Sequence, residues 1–258
     1  MKYQGGKYMI GKHISNILLS YNVENLNGYI EPFCGALGVL KHMTPHFKKC
    51  YAYDIHSDLI ELWKQVKNNE FKPPESMSEK KYLEIKNIQS PSALKAFVGF
   101  GCSFGGVYFG GYAQKYTGGK NENYLQAATN SMKKLQPLIK NVNFNCTSYS
   151  KLRPKNKLIY CDPPYQFNNF PVKYRNDTKK YDLFDHDKFW NIMRKWSQNN
   201  LVIISEFKAP ADFICIWKKE KYQSASQSKK TRYKSKNTKK YLLEKLFIHN
   251  SIFDKYKK

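Results

Sequence analysis

The sequence predicts an α/β fold built on a doubly wound, mostly parallel sheet of seven strands. Two observations carry this prediction: short apolar runs alternate with amphipathic segments, and a Gly-containing turn follows the first run directly. Alternation of strands and helices is typical of a mostly parallel sheet with helices on its faces. A chain of 258 residues is long enough for one catalytic domain with a modest insertion.

Two strand–helix units predict the first part of the sheet. Residues 27–33 (NGYIEPF) are predicted as a strand ending at a turn, and a helix begins at 39–43. Residues 49–54 (KCYAYD) predict the next strand, and the amphipathic segment 55–67 predicts the helix after it. This β-turn-α-β-α order is that of a doubly wound sheet.

Five further strands are predicted after a long interruption. Each is a short apolar run, and a helix at 185–198 separates the second run from the third. The predicted strands are 143–146, 158–161, 201–206, 214–222 and 241–249. The last two are expected to be joined by a polar loop.

The interruption breaks the strand–helix rhythm. It contains helical patterns near 92–99 and 123–139, so we interpret 68–140 as a mostly helical insertion between two strands. The predicted division is a catalytic domain formed by 1–67 and 141–258, with the insertion between them.

The charge of the chain points to an anionic partner. Lys and Arg number 44 against 20 Asp and Glu, a net charge of +24, and ten of the basic residues lie in 218–240, predicted as a mobile loop. Nucleic acid or an anionic membrane surface would neutralise this charge; a Lys-rich proteome is the alternative explanation. No apolar run reaches 18 residues, and the N-terminal segment MKYQGGKYMI lacks a signal-peptide core. We therefore expect a cytoplasmic protein without membrane contact.

The cysteines do not predict a metal centre. None of the six forms a C-x-x-C pair, and the histidines do not cluster at ligand spacing. Neither a zinc site nor a disulfide framework is expected, and the cysteines are predicted to be small buried side chains.

The sharpest chemical signal is the tetrapeptide Asp162-Pro163-Pro164-Tyr165, directly after the apolar run LIYC. Ligands of an open parallel sheet bind where its strands end. The prolines stiffen the loop and lack N–H groups, which leaves carbonyls as hydrogen-bond acceptors. The Asp162 carboxylate and the Pro163 carbonyl would hold an exocyclic amino group, and the Tyr165 ring would stack on the base. A plain Pro-Pro turn is the alternative.

A second signal is the turn EPFCGALG at 31–38. Small residues at a strand-to-helix turn let the backbone approach a ligand closely. Asp54 ends the next strand, 19 residues after Gly35, where a carboxylate would bind ribose hydroxyls. The alternatives are a routine tight turn and, for Asp54, a role as helix N-cap before Ile55.

The N-terminal segment KYQGGK carries a third, weaker signal. Gly5 and Gly6 predict a turn, and Lys7 offers a cation for a carboxylate or a phosphate. An unstructured terminus is the alternative.

Read in order, KYQGGK, EPFCGALG, AYD and YCDPPY resemble the motifs of the Dam-type DNA adenine-N6 methyltransferases. The segment GCSFGGVYFGGY resembles that family's aromatic-glycine segment in the target-recognition region. Residues 178–181, SEFKAP at 205–210 and EKLF at 244–247 extend the resemblance over nearly the whole chain.

The resemblance implies a Rossmann-like, S-adenosylmethionine (AdoMet)-dependent methyltransferase with a helical target-recognition insertion. Its reaction would move a methyl group from AdoMet to N6 of a flipped-out adenine in duplex DNA, leaving S-adenosylhomocysteine. The catalytic pocket would comprise Asp162, Pro163, Pro164 and Tyr165. The implied cofactor-binding residues are Tyr3, Lys7, Glu31, Phe33, Gly35, Asp54, Tyr149 and Asp162. One departure is Leu37, which stands where the family commonly has Gly.

Double-stranded DNA is the implied partner, bound by the target-recognition insertion and by basic residues. The predicted DNA contacts are Lys7, Tyr108, Tyr112, Arg175 and Arg232. A bacterial, phage or viral origin and a monomer are expected, with a dimer as the alternative.

Two other functions stay open at this point. The first keeps methyl transfer but changes the acceptor to RNA adenine, cytosine N4 or a protein glutamine amide; the leading Asp162 favours adenine. The second is a DNA-binding module that has lost catalysis, which the departures in the glycine turn motivate.

Overall fold

The computed structural model describes residues 1–113, 115–117, 120–165, 184–222 and 241–258. The strands within them are β1 (Tyr29–Glu31), β2 (Cys50–Asp54), β3 (Lys115–Thr117), β4 (Lys120–Glu122), β5 (Val142–Cys146), β6 (Leu158–Cys161), β7 (Leu201–Ser205), β8 (Phe213–Tyr222) and β9 (Tyr241–His249). In these residues one sheet of seven strands has the order β5-β2-β1-β6-β7-β9-β8.

The sheet is parallel except at one end. β5, β2, β1, β6 and β7 pair in parallel, whereas β9 is antiparallel to both β7 and β8. A separate antiparallel hairpin joins β3 and β4. The predicted doubly wound, mostly parallel seven-stranded α/β sheet is therefore confirmed.

Helices lie on both faces of this sheet. In the described part of the chain they are α1 (Gly11–Leu19), α2 (Leu40–Met43), α3 (Ser57–Lys67), α4 (Glu79–Lys86), α5 (Ala93–Gly101), α6 (Tyr124–Leu135), α7 (His186–Ser197) and α8 (Asn250–Tyr256). No helix in these ranges is long and apolar enough to cross a bilayer.

The alternation of side chains along each strand divides the core into two clusters. In β6, Leu158 and Tyr160 belong to the cluster that also contains α1, α3 and α5 side chains. Ile159 and Cys161 point to the other face, where they pack with α7 through residues such as Met193. A helix layer on each face explains why β6 and β7 are buried at every position.

The start of α3, the helix that follows β2, differs from the predicted start. α3 begins two residues later than expected, and the side chain of His56 caps it by accepting a hydrogen bond from the Leu59 N–H. The alternative assignment of Asp54 as the helix cap is therefore wrong. Asp54 instead accepts a hydrogen bond from the His56 N–H at 3.1 Å, which leaves its side chain on the turn side of the strand.

Residues 68–140 contain α4, α5, α6 and the β3–β4 hairpin. Ser78, Ser92 and Asn123 cap the three helices by accepting hydrogen bonds from backbone N–H groups. Phe97 and Tyr82 of this segment lie in the same hydrophobic cluster as the α1 and α3 side chains. The division of the chain into a catalytic domain and a recognition insertion stays a prediction.

Candidate active site

Three buried or half-buried carboxylates lie on one face of the sheet. Glu31 ends β1, Asp162 directly follows β6, and Glu244 lies in β9. The period of two along a strand puts Glu31 on the face of Tyr29, and Glu244 on the face of Leu246. Since β1 and β6 are parallel neighbours, their carboxyl ends meet at the same edge of the sheet.

Lys7 supplies the cation between two of these acids. Its side chain is only 5% exposed, and Nζ lies 2.7 Å from Asp162 Oδ1 and 3.4 Å from Glu244 Oε1. The same Nζ lies 4.6 Å from the centroid of the Tyr165 ring, as in a cation–π contact. Burial by itself lowers the pKa of Lys7, but the Asp162 and Glu244 carboxylates outweigh it and the pKa is raised. Lys7 therefore stays charged at neutral pH.

The Asp162-Pro163-Pro164-Tyr165 loop is held by contacts from other strands. The Tyr165 hydroxyl donates a hydrogen bond to Glu244 Oε1, and the Tyr165 ring meets the Phe207 ring edge-on at 4.6 Å. Burial raises the pKa of Asp162, the charge of Lys7 opposes that shift, and Glu244 adds to it. Asp162 nevertheless keeps 19% of its side chain exposed, so a ligand has access to it.

Glu31 lies deeper than Asp162. It is 3% exposed, and its Oε1 accepts a hydrogen bond from the Tyr29 hydroxyl at 2.6 Å. Burial raises the pKa of Glu31 to about 8; the Tyr29 hydrogen bond opposes this shift, and the Asp162 charge adds to it. The carboxyl group of Glu31 is therefore protonated at neutral pH in the protein alone.

The glycine turn is tied directly to Asp54. Gly35 has a φ of +44°, and its N–H donates to Asp54 Oδ2 at 3.1 Å. The Gly35 carbonyl accepts a hydrogen bond from Trp63 Nε1 at 2.9 Å. Burial raises the pKa of Asp54, while hydrogen bonds from the His56 and Gly35 N–H groups lower it. The turn after β1 and the end of β2 thus form one rigid unit.

Tyr3 covers this turn from the N-terminal segment. A Cβ on Gly35 would lie 3.0 Å from Tyr3 Cε1, a separation tighter than ordinary van der Waals contact. The Tyr3 ring also contacts the Phe100 ring at 4.8 Å, and the neighbouring Gln4 N–H donates to the Gly106 carbonyl at 3.0 Å. The residues before Lys7 are therefore ordered, which contradicts the alternative of an unstructured terminus.

Leu37 explains the departure from the common glycine pattern. Its φ is +60°, a conformation that costs a non-glycine residue about 1–2 kcal/mol. Its side chain is fully buried in the core, and burial of a Leu side chain contributes about 1.5–3 kcal/mol. The packing of Leu37 therefore offsets the strain of the turn.

Aromatic rings form the wall beyond β1. Phe33 contacts Tyr149 at 5.1 Å, and both rings contact Phe184 and Phe189. Tyr149 is buried and Phe33 is half-buried. The two predicted cofactor-binding rings thus lie together beside the turn that contains Gly35.

The residues predicted to hold the cofactor and the base come from five distant segments of the chain, and direct contacts join many of them. Asp162 pairs with Lys7, Gly35 contacts Asp54 and Tyr3, and Phe33 meets Tyr149.

No group of three His, Cys, Asp or Glu side chains suited to a metal ion occurs among the residues described. A surface cavity of about 410 Å³ lies elsewhere, lined by residues of β8, by the two residues that follow α1, and by Phe253 of α8 with the two residues after that helix.

A match to a protein-family model shows to which family the chain belongs. The model for the D12 class N6 adenine-specific DNA methyltransferases matches residues 3–240. The chain belongs to this family. The resemblance to Dam-type enzymes is thereby confirmed, and the function of the family is methylation of adenine N6 in DNA.

Individual proteins are more distant. The type II methyltransferase M.MjaIII of Methanocaldococcus jannaschii is 27% identical over 219 residues, which cover 73% of this chain and 75% of the relative. Among solved structures, a candidate methylase from Haemophilus influenzae has 11% identity and a TM-score of 0.36, covering 93% of this chain and 88% of its own. The rRNA methyltransferase aviRa of Streptomyces viridochromogenes has 10% identity and a TM-score of 0.40, covering 95% and 87%.

The structure describes some of the predicted DNA contacts of this D12-class chain and not others. Tyr108 donates a hydrogen bond to Asp58 Oδ2 and Tyr112 donates to the Met77 carbonyl, both at 2.6 Å, so these hydroxyls have internal partners. Arg175 and Arg232 lie outside the described residues. For all four, DNA binding stays a prediction.

Two large apolar side chains in the same aromatic-glycine segment face solvent. Phe104 is 53% exposed and Val107 is 37% exposed. The sequence did not predict either residue as a DNA contact, because the exposure of an apolar side chain cannot be read from the sequence.

Sequence reasoning also missed Glu244 as a site residue. It lies in EKLF at 244–247, a segment that supports the resemblance but carries no implied role. A signal was available: Glu244 alternates with Leu246 and Ile248, so a single acid shares a face with core residues. A charged residue on a core-facing position is normally paired, which points to a partner such as Lys7.

Replacing Glu31 with Gln tests the protonation of this buried acid. The raised pKa, about 8 in the fold against 4.5 in the unfolded chain, means that the contribution of Glu31 to stability is full below pH 4.5 and is lost as the pH rises to about 8. Over that window, the parent loses about 1.4 kcal/mol per pH unit from this group, and Glu31→Gln does not. Urea unfolding at pH 5, 6.5 and 8 measures the difference; an advantage of Glu31→Gln that does not grow with pH would contradict the assignment.

Proposed function

We propose that the chain transfers a methyl group from AdoMet to N6 of an adenine flipped out of duplex DNA, at the pocket formed by Asp162, Pro163 and Tyr165. The observation that carries the proposal is the Asp162 carboxylate at the end of β6, which accepts an ammonium N–H from Lys7 at 2.7 Å. The contact shows that this carboxylate is placed to accept N–H donors, and the exocyclic amino group of adenine is such a donor.

The residues around β1 and β2 suit AdoMet by their chemistry. The turn at Gly35 packs directly under the Tyr3 ring, and the Asp54 carboxylate retains acceptor capacity for ribose hydroxyls beside its two backbone hydrogen bonds. Phe33 and Tyr149 offer apolar rings for an adenine moiety. The Asp162 carboxylate suits a positively charged ligand in an otherwise strongly basic chain, and such a ligand would lower the pKa of Glu31, which is protonated in the protein alone.

AdoMet, when bound, supplies a methyl group activated by its sulfonium charge. The protein must then hold and orient the acceptor, and such positioning can supply about 7–11 kcal/mol of the barrier. The Asp162 carboxylate and the Pro163 carbonyl would each accept one N6–H, which turns the lone pair of the nitrogen out of the ring. Asp162 would also stabilise the positive charge that develops on the nitrogen. The proton leaves after methyl transfer, so no general base of high pKa is required.

The duplex must release its base before this chemistry. Flipping costs a few kcal/mol, and stacking on Tyr165 would return about 1–3 kcal/mol. The net charge of +24 supports binding to phosphates, which makes affinity fall steeply with salt. We expect a monomer that acts where cellular or viral DNA is present, in the cytoplasm of a bacterial host.

The decisive assay uses the purified chain, AdoMet with a labelled methyl group, and matched substrates. We expect label in duplex DNA that contains adenine, recovered as N6-methyladenine after digestion. Label in RNA, in a glutamine peptide or at cytosine N4 instead would favour the alternative acceptors. No AdoMet binding by calorimetry, together with retained DNA binding, would favour a DNA-binding module without catalysis. Long-read sequencing of DNA from cells that express the protein would report the modified base and its sequence context together.

A further inference from the structure

Glu244 is an unusual residue for its position in the sheet. It lies on β9, next to β7 in the sheet, and is 6% exposed. Leu246 and Ile248 share its face and are fully buried in the core. Apolar side chains therefore satisfy the packing at this face, and a buried carboxylate there is costly unless its partners compensate for it.

Both partners of Glu244 belong to the candidate active site. Its Oε1 accepts the hydrogen bond of the Tyr165 hydroxyl and lies 3.4 Å from Lys7 Nζ. Lys7 in turn pairs with Asp162 and lies over the Tyr165 ring. A residue 79 positions after Tyr165 thus touches the tetrapeptide at its ring and, through Lys7, at its carboxylate.

The Tyr165 ring is therefore held at two points. Glu244 holds the hydroxyl at the end of the ring, and the edge-on contact with Phe207 limits rotation of the ring plane. A ring that stacks on a base contributes only if its plane is set before the base arrives, because ordering it during binding costs side-chain entropy. A charge-assisted hydrogen bond is about twice as strong as a neutral one, which suits a tether of this kind.

We propose that Glu244 is a positioning residue for methyl transfer, which sets the plane of the Tyr165 ring through the phenol hydroxyl. The inference rests on the proposed function, since it takes Tyr165 as the ring against which the target adenine stacks. Glu244 itself does not touch the base; it acts through Tyr165.

A double-mutant cycle tests this role. The variants are Glu244→Ala, Tyr165→Phe and the pair, each assayed for kcat, for KM of duplex DNA and for thermal unfolding. Each single variant should lower kcat about tenfold, a loss in the range that stacking on one base provides. The pair should lose about tenfold as well, because residues that act through one contact are not additive. Binding of duplex DNA should stay within about threefold of the parent, since phosphate contacts dominate affinity.

A matched control and a second variant of Glu244 distinguish a loss of positioning from misfolding or from the general loss of an acidic residue. Glu220→Ala removes an exposed acid from the neighbouring strand β8 and should leave kcat unchanged. If Glu244→Ala does not fold, the cycle is run with Glu244→Gln, whose amide oxygen still accepts the hydrogen bond without its charge. The effect of Tyr165→Phe should then be smaller in the Gln background than in the parent.

The pH profile gives an independent readout. Asp162 is faced by charged or titratable groups from several elements: Lys7, Glu31, Tyr160, Tyr165 and Glu244. The negative charge of Glu244 raises the pKa of Asp162, so Glu244→Gln should move the acid limb of kcat/KM to lower pH. A residue that only packs the core would not move that limb.

Three results would overturn the inference. The first is a parental kcat in folded Glu244→Ala, and the second is a double variant whose loss is the product of the two single losses. The third is an acid limb that does not move in Glu244→Gln. Asp162→Asn, measured alongside, distinguishes a failure of the proposed function from a failure of the role of Glu244. If Asp162→Asn turns over at the parental rate, the proposed active site fails as well. If Asp162→Asn is inactive and Glu244→Ala is not impaired, the role of Glu244 alone is refuted.

Discussion

Replacing Asp162 with Ala is expected to lower kcat for adenine methylation by at least about 100-fold, the loss typical of one transition-state electrostatic contact. The variant loses the acceptor for N6–H and the charge that stabilises the methylated nitrogen. Lys7 keeps a counterion because Glu244 Oε1 lies 3.4 Å from its ammonium group, so the fold should survive. DNA binding should persist, since most of its free energy comes from phosphate contacts.

Rates, DNA affinity and AdoMet affinity measured on the same preparations check this expectation. Asp162→Asn keeps the shape of the side chain and should also lose activity, because the amide lacks the negative charge. Asp254→Asn, an exposed change on α8, is the matched control and should leave the rate unchanged. An Asp162→Ala enzyme with full activity would show that the acceptor binds elsewhere.

Gly11→Ala is expected to destabilise the protein by about 3 kcal/mol, roughly 6–12 °C in Tm. A Cβ at Gly11 would lie 2.0 Å from the Gly38 carbonyl oxygen, a distance that real structures do not tolerate. The obstacle is backbone, so α1 must move away from the glycine turn. The Gly11 N–H also donates to the Lys7 carbonyl at 2.6 Å, so this movement would displace Lys7 and lower kcat as well.

Thermal unfolding and the methylation rate together measure this effect. Gly5→Ala is the comparison, because Gly5 has a φ of +77° but open space around its Cβ position. It should cost only the strain of the conformation, about 1–2 kcal/mol. Equal stability losses in the two variants would mean that the approach of α1 to Gly38 is not a rigid feature of the fold.

Local patterns carried most of the fold prediction. β6 and β9 have the predicted bounds. α7 is only one residue shorter at each end than predicted, and the agreement is this close because its apolar period is strong and Asp185 caps it. β1 stops before Pro32, which has no N–H to donate to the sheet. α1 and α8 were not predicted. α1 has no side-chain cap at its start, and its position depends on contact with the glycine turn rather than on a local signal.

The candidate site was predictable only where a motif is contiguous. Asp162 to Tyr165 follow one another, and Asp54 follows the glycine turn at a readable spacing, so those residues were selected. The pairing of Lys7 with Asp162 was not predicted, because 155 residues separate them and no period connects them. Glu244 carries no motif of its own, and its partner Tyr165 lies on a different strand end.

By itself, the order of apolar runs and turns determined the class of sheet, because side-chain periods and backbone restrictions act over a few residues. The order of the motifs pointed to the family, and the resemblance in turn implied the reaction and the candidate tetrapeptide Asp162 to Tyr165. Only the tertiary structure decided which acids are buried, that Lys7 lies between two of them and that β9 reaches the Tyr165 ring. Burial and ion pairing are set by elements far apart in the chain, and their free energies depend on the solvent that those elements exclude.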